Sequence, residues 1–196
     1  MRLPKSLIAF SFFALLVAAP IHSGPLDPTP PPPSPQIHRL RLFHTHTGER
    51  IDVIYRRGDV YSVGAEQQLD QFLRDHRTGE VKHYDPRVFD ILADLAASVG
   101  HPDAEIEIIC GYRSSWSNEF LRTRSSGVAK NSLHMQAHAI DIRIPGVDTL
   151  TLRNAALTLA RGGVGYYPRS EFVHVDTGRV RTWCYGCNRQ SHAPVE

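Results

Sequence analysis

The sequence is short of most features that assign a chain at a glance. It has three cysteines in 196 residues, Cys110, Cys184 and Cys187; that is too few for a disulfide-built scaffold, and an odd number leaves one thiol unpaired. No apolar run reaches the roughly 20 residues that a bilayer-crossing helix requires. The longest, LIAFSFFALLVAAP, stops at about 14. Charge of neither sign dominates: 22 basic residues stand against 20 acidic ones with no long single-sign run, so there is no electrostatic case for nucleic acid as a partner. No cysteine follows the apolar run and no arginine pair precedes it, which argues against a lipid-modified N-terminus and against the export route for folded proteins. No internal repeat is present.

What is there begins with Arg2 and Lys5 ahead of that apolar run and the small, polar stretch IHSG after it. This is the order of a cleavable export signal, predicted over 1–24, and it limits membrane contact to that segment. GPLDPTPPPPSPQ follows; proline removes ladder donors and favours extended, solvated backbone, so 25–37 reads as a spacer. The expected location is outside the inner membrane, in the periplasm or cell envelope. An oxidising compartment favours disulfides. The pair in WCYGC reads as a local bridge between Cys184 and Cys187 rather than a redox motif, because redox motifs open a helix within a βαβ unit and this one lies in the tail. Cys110 has no assigned role, and nothing in the sequence fixes an oligomeric state.

Between spacer and tail, periodicity predicts an α+β domain over 38–183, with 184–196 as a cysteine-containing tail. HRLRLFHTHTGERIDVIYRRGD alternates apolar and polar residues around a turn, predicting two strands. Helical spacing places Leu69, Phe72 and Leu73 on one helix, and Val88, Ile91, Leu92 and Leu95 on another that starts at Asp85-Pro86 and stops at Gly100. AEIEIICGYRS reads as a strand, WSNEFLRTRSSG as a short helix and loop, and HAIDIRI as a strand with Ile140, Ile142 and Ile144 on one face. A further helix in DTLTLRNAALTLARGG is closed by glycine, and VGYY, EFVHVDTG and VRTW read as short strands. Helices ahead of a later sheet fit α+β.

The chemistry-bearing residues gather in SLHMQAHAIDIRI and EFVHVDTG. Catalytic zinc is commonly held by three protein ligands drawn from His, Cys, Asp and Glu, with a fourth position left for water. His134, His138, Asp141 and His174 are the candidates. If Asp141 opens a strand, His134 must come from the loop feeding it. His174 faces Asp141 only if their strands are neighbours. Glu171 and Asp176 are the nearest carboxylates for a general base; alternation puts Glu171 opposite His174 unless it lies in the preceding turn, and Asp176 can instead orient a ligand. Two other readings stay open: scattered surface histidines, and a structural zinc site made of His134, His138, Cys184 and Cys187. Tyr166 and Tyr167 suit either a substrate groove or the core. Asn118 and Ser132 suit turn bracing.

GYRSSWSNEFLR, SLHMQAHAIDIRI and GGVGYYPRSEFVHVDTGRVRTW, in this order and spacing, resemble the murein endopeptidase K branch of the D-alanyl-D-alanine carboxypeptidase-like zinc peptidases. The resemblance covers about 38–183. It implies the hedgehog/D-Ala-D-Ala peptidase-like fold, a small and mostly antiparallel sheet flanked by helices. It also implies zinc (Zn2+) on His134, Asp141 and His174, with His138 variable, and Ser132 near the metal. By position it makes Glu171 the general base, with Asp176 as the alternative, and makes Arg113 the residue that steadies the substrate carbonyl or oxyanion. Ala137 stands where the family pattern has glycine; alanine fits there only if the backbone does not need positive φ. The implied activity is hydrolysis of peptidoglycan cross-links or stem peptides, with peptidoglycan as partner. The alternatives are a carboxypeptidase of the same fold, either D-alanyl-D-alanine-type or L,D-, and a non-catalytic peptidoglycan-binding protein with structural zinc.

Overall fold

The computed structural model describes residues 34–125 and 127–187. The predicted signal segment, most of the spacer and the tail beyond 187 lie outside them. Eight strands form one sheet: β1 (Ile37–His44), β2 (Arg50–Arg57), β3 (Val60–Tyr61), β4 (Glu105–Cys110), β5 (Ala139–Arg143), β6 (Gly163–Tyr167), β7 (Phe172–Asp176) and β8 (Arg181–Cys184). Their order across the sheet is β3-β2-β1-β4-β5-β7-β6-β8. Only β1–β4 and β6–β8 are parallel pairs; the other five are antiparallel. The fold is thus α+β with a mostly antiparallel sheet. β8 ends on Cys184, so the first residue expected in the tail belongs to the sheet.

Four helices complete the domain: α1 (Val63–Phe72), α2 (Arg87–Ser98), α3 (Ser115–Arg122) and α4 (Thr149–Leu159). The hydroxyl of Ser62 accepts the Ala65 N–H at the start of α1, and the Asp148 carboxylate accepts from Leu150 and Thr151 at the start of α4. At α2 the Asp85 carboxylate accepts the Arg87 N–H while Pro86 fills the cap position, as Pro's fixed φ and missing donor favour. α4 departs from expectation at its end. Ala160 rather than a glycine takes the left-handed conformation, with φ 50°. Among the described residues, no helix is long and apolar enough to cross a membrane.

One contiguous apolar core joins sheet and helices. Leu40, Leu42, Ile106, Ile108, Ile140, Ile142, Val173 and Val175 from the strands pack with Leu69, Leu92 and Leu95 from α1 and α2 and with Leu152 from α4. α2 packs on β1 and β7, and α4 on β6 and β7. Alternation does the rest: with Ile140 and Ile142 committed to the core, Ala139 and Asp141 must face the other side of β5. Truncating fully buried Ile142 to Ala would cost about 2–5 kcal/mol and loosen that commitment.

Candidate metal centre

Strand register builds the site. Cys110 on β4 stands opposite Asp141 on β5, Asp141 opposite His174 on β7, His174 opposite Gly165 on β6, and Gly165 opposite Trp183 on β8. Five residues from five adjacent strands therefore form one row across one face of the sheet. Gly165 is required in this row: a Cβ there would sit 2.5 Å from Trp183 Cζ2. The missing side chain lets the indole lie 5.0 Å, ring to ring, from His174.

His134 reaches the row from a 3-10 turn, Leu133–Gln136, whose cap Ser132 accepts the His134 N–H. Ala137 closes that turn in the left-handed region, at φ 56° and ψ 39°, with its side chain fully buried. The expectation that alanine fits only where positive φ is not needed is thus overturned: the backbone keeps the glycine-like conformation with a Cβ present, at a cost of about 1–2 kcal/mol.

Three ligand-capable atoms converge. His134 Nε2 lies 3.2 Å from Asp141 Oδ1 and 3.1 Å from His174 Nδ1, and His174 Nδ1 lies 2.9 Å from Asp141 Oδ1. The other ring nitrogens are committed elsewhere. His134 Nδ1 lies 2.8 Å from the Gly111 carbonyl, and His174 Nε2 lies 3.0 Å from Asp176 Oδ2. With those nitrogens donating, the neutral rings turn two imidazole lone pairs and a carboxylate lone pair toward one point. Such a cluster demands positive charge at its centre. The edges of 2.9–3.2 Å compare with about 3.3 Å between donors of a tetrahedral ion bound at roughly 2.0–2.1 Å, so the residues fit a divalent metal.

The titration behaviour agrees. Burial disfavours charge on His134, yet the Asp141 carboxylate and the Cys110 sulfur outweigh it and push the imidazole up to about 10. Burial likewise opposes ionisation of Asp141, but His134 and His174 hold its carboxyl well below the usual range. Asp176 shows the same balance: burial raises it, while His174 and Arg181 prevail and lower it. Its carboxylate also accepts the N–H groups of Gly163 and Gly178 and two bonds from Arg181. With its lone pairs so engaged, Asp176 orients His174 and is not free to take a proton from solvent.

Arg113 is buried beside the triangle. Its Nη2 lies 3.9 Å from Asp141 Oδ2 and donates to Cys110 Sγ at 3.3 Å, and its Nη1 donates to Asn118 Oδ1 at 3.3 Å. Asn118 is thereby more than the turn brace that its sequence predicts. Cys110 Sγ lies within 4.8 Å of ligand-capable atoms of His134 and Asp141 and forms with them a second possible ligand set. Burial works to raise the Cys110 thiol, but His134 and Arg113 lower it.

A cavity of about 280 Å³ opens over the triangle, walled in part by Arg113, Ser132, Tyr167 and Trp183. The Tyr167 hydroxyl accepts from Trp183 Nε1 at 3.1 Å. Two predicted site residues, Tyr166 and Glu171, are placed otherwise, and His138, which the resemblance left variable, lies apart from the triangle. Tyr166 points to the α4 side, where the Arg153 guanidinium lies 5.7 Å from its ring, and it does not line the cavity. His138, half-exposed, sits near Thr177 and Asp85. Glu171 occupies the turn before β7 but is exposed, at φ 52°, and the cavity wall passes from Ser170 to Phe172 without it. Arg143 holds that turn by donating to the Ser170 and Glu171 carbonyls. The count of three residues before His174 is satisfied, but the turn does not carry the side chain round. Cys184 and Cys187 form a disulfide, which removes the thiols that the rival structural zinc site needed.

Cys110, Trp183 and Arg181 escaped sequence reasoning because their roles depend on register. The sequence carried no local signal for them, since even the pairing of Gly165 with Trp183 is set by the register of β6 on β8.

Comparison with known proteins places this geometry. Residues 33–183 match the family described as peptidoglycan L,D-endopeptidase MepK. The probable peptidoglycan L,D-endopeptidase MepK of Haemophilus influenzae is 44% identical over 151 residues, 77% of this chain and 80% of that protein. The peptidoglycan L,D-endopeptidase MepK of Escherichia coli K12 is 41% identical over 179 residues, 91% of this chain and 96% of that protein. With the match spanning nearly all of the described sheet and every residue of the triangle, the chain belongs to the peptidoglycan L,D-endopeptidase MepK family.

Proposed function

We propose that the chain is an exported, zinc-dependent peptidase that cuts peptide bonds in the stem peptides or cross-links of peptidoglycan. The observation that carries this is the convergence of His134, Asp141 and His174 within 2.9–3.2 Å beneath an open cavity. His134, Asp141 and His174 would hold the ion, and zinc so held supplies Lewis acidity and a bound water of lowered pKa.

The remaining work falls to the protein. The Gly111 carbonyl and Asp176 fix the two imidazoles in the tautomers that present Nε2 of His134 and Nδ1 of His174. Arg113 stays cationic, held between Asn118 and Cys110, and its planar fork faces the cavity where negative charge grows on a scissile carbonyl. Tyr167 and Trp183 form an aromatic wall that keeps water away from the peptide. Among the described residues, Asp141 is the sole carboxylate that lines the cavity, so neither Glu171 nor Asp176 is assigned as the base. Export rests on the N-terminal order of Arg2, Lys5 and the apolar run, and it agrees with relatives named for a peptidoglycan activity.

Digestion of purified sacculi by the zinc-loaded protein, with products identified by mass, tests the proposal. Cleaved cross-linked muropeptides are expected, lost on chelation and restored by zinc. Loss of terminal residues alone would assign a carboxypeptidase instead. Stoichiometric zinc without any product would leave a wall-binding protein.

A further inference from the structure

Helix α3 buries one face and displays another. Ser117 and Asn118 are buried, and Asn118 ties the helix to the cleft: its Nδ2 donates to the Ala129 carbonyl at 3.2 Å and its Oδ1 accepts from Arg113. On the outer side Trp116, Phe120 and Arg124 follow at intervals of four residues along α3 and the turn that ends it, which makes one stripe. The rings of Trp116 and Phe120 stack at 5.3 Å and 21°. The Arg124 guanidinium lies 3.7 Å from the Phe120 ring centroid, and that of Arg77 lies 5.8 Å from it. Phe120 is thus held between an indole and a guanidinium, while Trp116, with one face on Phe120, remains 59% exposed. The stripe borders the cleft at both ends. Arg113, which lines the cavity, stands three residues before Trp116, at most about 11 Å of chain. Ser125, which also lines the cavity, follows Arg124 directly.

We propose that Trp116, backed by Phe120 and Arg124, is a glycan-binding platform on the shoulder of the cleft, which takes the apolar face of a sugar ring in the glycan strand whose stem peptide enters the cavity. This rests on the reading of the cleft as a peptidoglycan peptidase site. In peptidoglycan each stem peptide is covalently attached to a glycan strand, so a peptide that enters the cavity brings a saccharide to its rim. Support of the helix alone does not call for an exposed indole, because aliphatic partners serve an i,i+4 pair as well. A flat, rigid ring held in place by a second ring offers the C–H face of a sugar an apolar surface at little entropic cost. The guanidiniums of Arg77 and Arg124 put cationic donors beside it, suited to hydroxyl and N-acetyl oxygens.

The test has two arms, both on the zinc-loaded full-length chain. The first measures equilibrium binding to glycan strands stripped of peptide by an amidase. Wild type should bind them, Trp116→Ala should weaken that binding about tenfold, and Trp116→Tyr, which keeps a ring, should stay within about threefold of wild type. The second compares kcat/KM for a cross-linked muropeptide that keeps its disaccharides with kcat/KM for the same cross-linked peptide without sugars. Trp116→Ala should lower the ratio of the two about fivefold. Damage to α3 that merely loosens the Asn118 tie would lower both values together and leave their ratio unchanged, so a ratio within about twofold of wild type overturns the inference. Failure of the wild-type chain to bind stripped strands overturns it too. Retention on vesicles of phosphatidylglycerol and phosphatidylethanolamine in place of glycan strands would assign the stripe to a membrane surface and overturn it likewise. If the wild-type chain releases no product from either substrate, the peptidase reading itself fails. The glycan-strand arm then decides alone, and unchanged affinity in Trp116→Ala overturns the inference.

Discussion

Two groups of three titratable side chains with histidines at their heart sit in this domain, and their contrast says what makes a ligand set. In the first, His134 and His174 meet Asp141, each ring turned by a second acceptor so that its lone pair faces the centre. In the second, His44 at the end of β1 meets His46 and His76. There the His46 and His76 rings stack at 4.1 Å and 11°, and His44 stands about 6 Å from both. His44 Nδ1 accepts the His46 N–H, while its Nε2 is buried with no partner among the described residues. Burial and the neighbouring His46 push His44 down to about 4 against a weaker pull from Glu49, whereas His134, in contact with Asp141, is pushed up to about 10. Histidine count is the same kind of signal in both places. Convergent lone pairs and a carboxylate in direct contact mark the first group; in the second, Glu49 and Asp75 raise His44 and His76 only weakly, and burial prevails.

The largest effect that sharpens the contrast is on metal and turnover. His134→Ala or Asp141→Ala should abolish stoichiometric zinc and lower cleavage of sacculi by about a thousandfold or more, while His76→Ala stays within about twofold. Metal analysis and product release measured on the same preparations check this, and equal losses in both groups would erase the distinction. Next comes Arg113→Lys. It keeps the charge but loses the fork between Asn118 and Cys110, and should cost about a hundredfold in kcat with zinc content intact.

The third effect concerns stability. His44 is depressed from 6.5 to about 4 in the folded chain, so the unfolded chain binds more protons between those values. The stability contributed by keeping His44 neutral is complete above pH 6.5 and is lost as pH falls toward 4, to the extent of about 3 kcal/mol. Urea unfolding at pH 7 and pH 4.5 should show a fall in His44→Leu that is smaller than the wild-type fall by about that amount; His76, which burial and His46 push down to about 4, contributes a fall of its own in both. The smallest expected effect belongs to Glu171→Gln, which should leave kcat within about threefold because the side chain lies outside the cavity. A drop of two orders of magnitude would return the proton-accepting role to Glu171.

Much of this was legible along the chain. Alternation in HAIDIRI committed Ile140 and Ile142 to the core, and so put Asp141 on the opposite face. The resemblance over three motifs supplied His134 and His174. What stayed hidden depends on pairing between distant strands. No local pattern says that Cys110 stands beside Asp141, or that Trp183 crosses Gly165 to reach His174. Counting placed Glu171 three residues before His174 and in the turn that the reading required, but the sequence did not say that the side chain would be exposed and off the cavity lining. Likewise, of two adjacent tyrosines only Tyr167 faces the cavity, a choice that the register of β6 on β7 makes.

The central claim is that His134, Asp141 and His174, without Cys110, bind one ion. Zinc-edge X-ray absorption of the zinc-loaded protein tests it most directly. The expected spectrum contains only nitrogen and oxygen neighbours at about 2.0–2.1 Å, with imidazole scattering beyond them. A sulfur neighbour at about 2.3 Å, or a protein that holds no stoichiometric zinc, would contradict it.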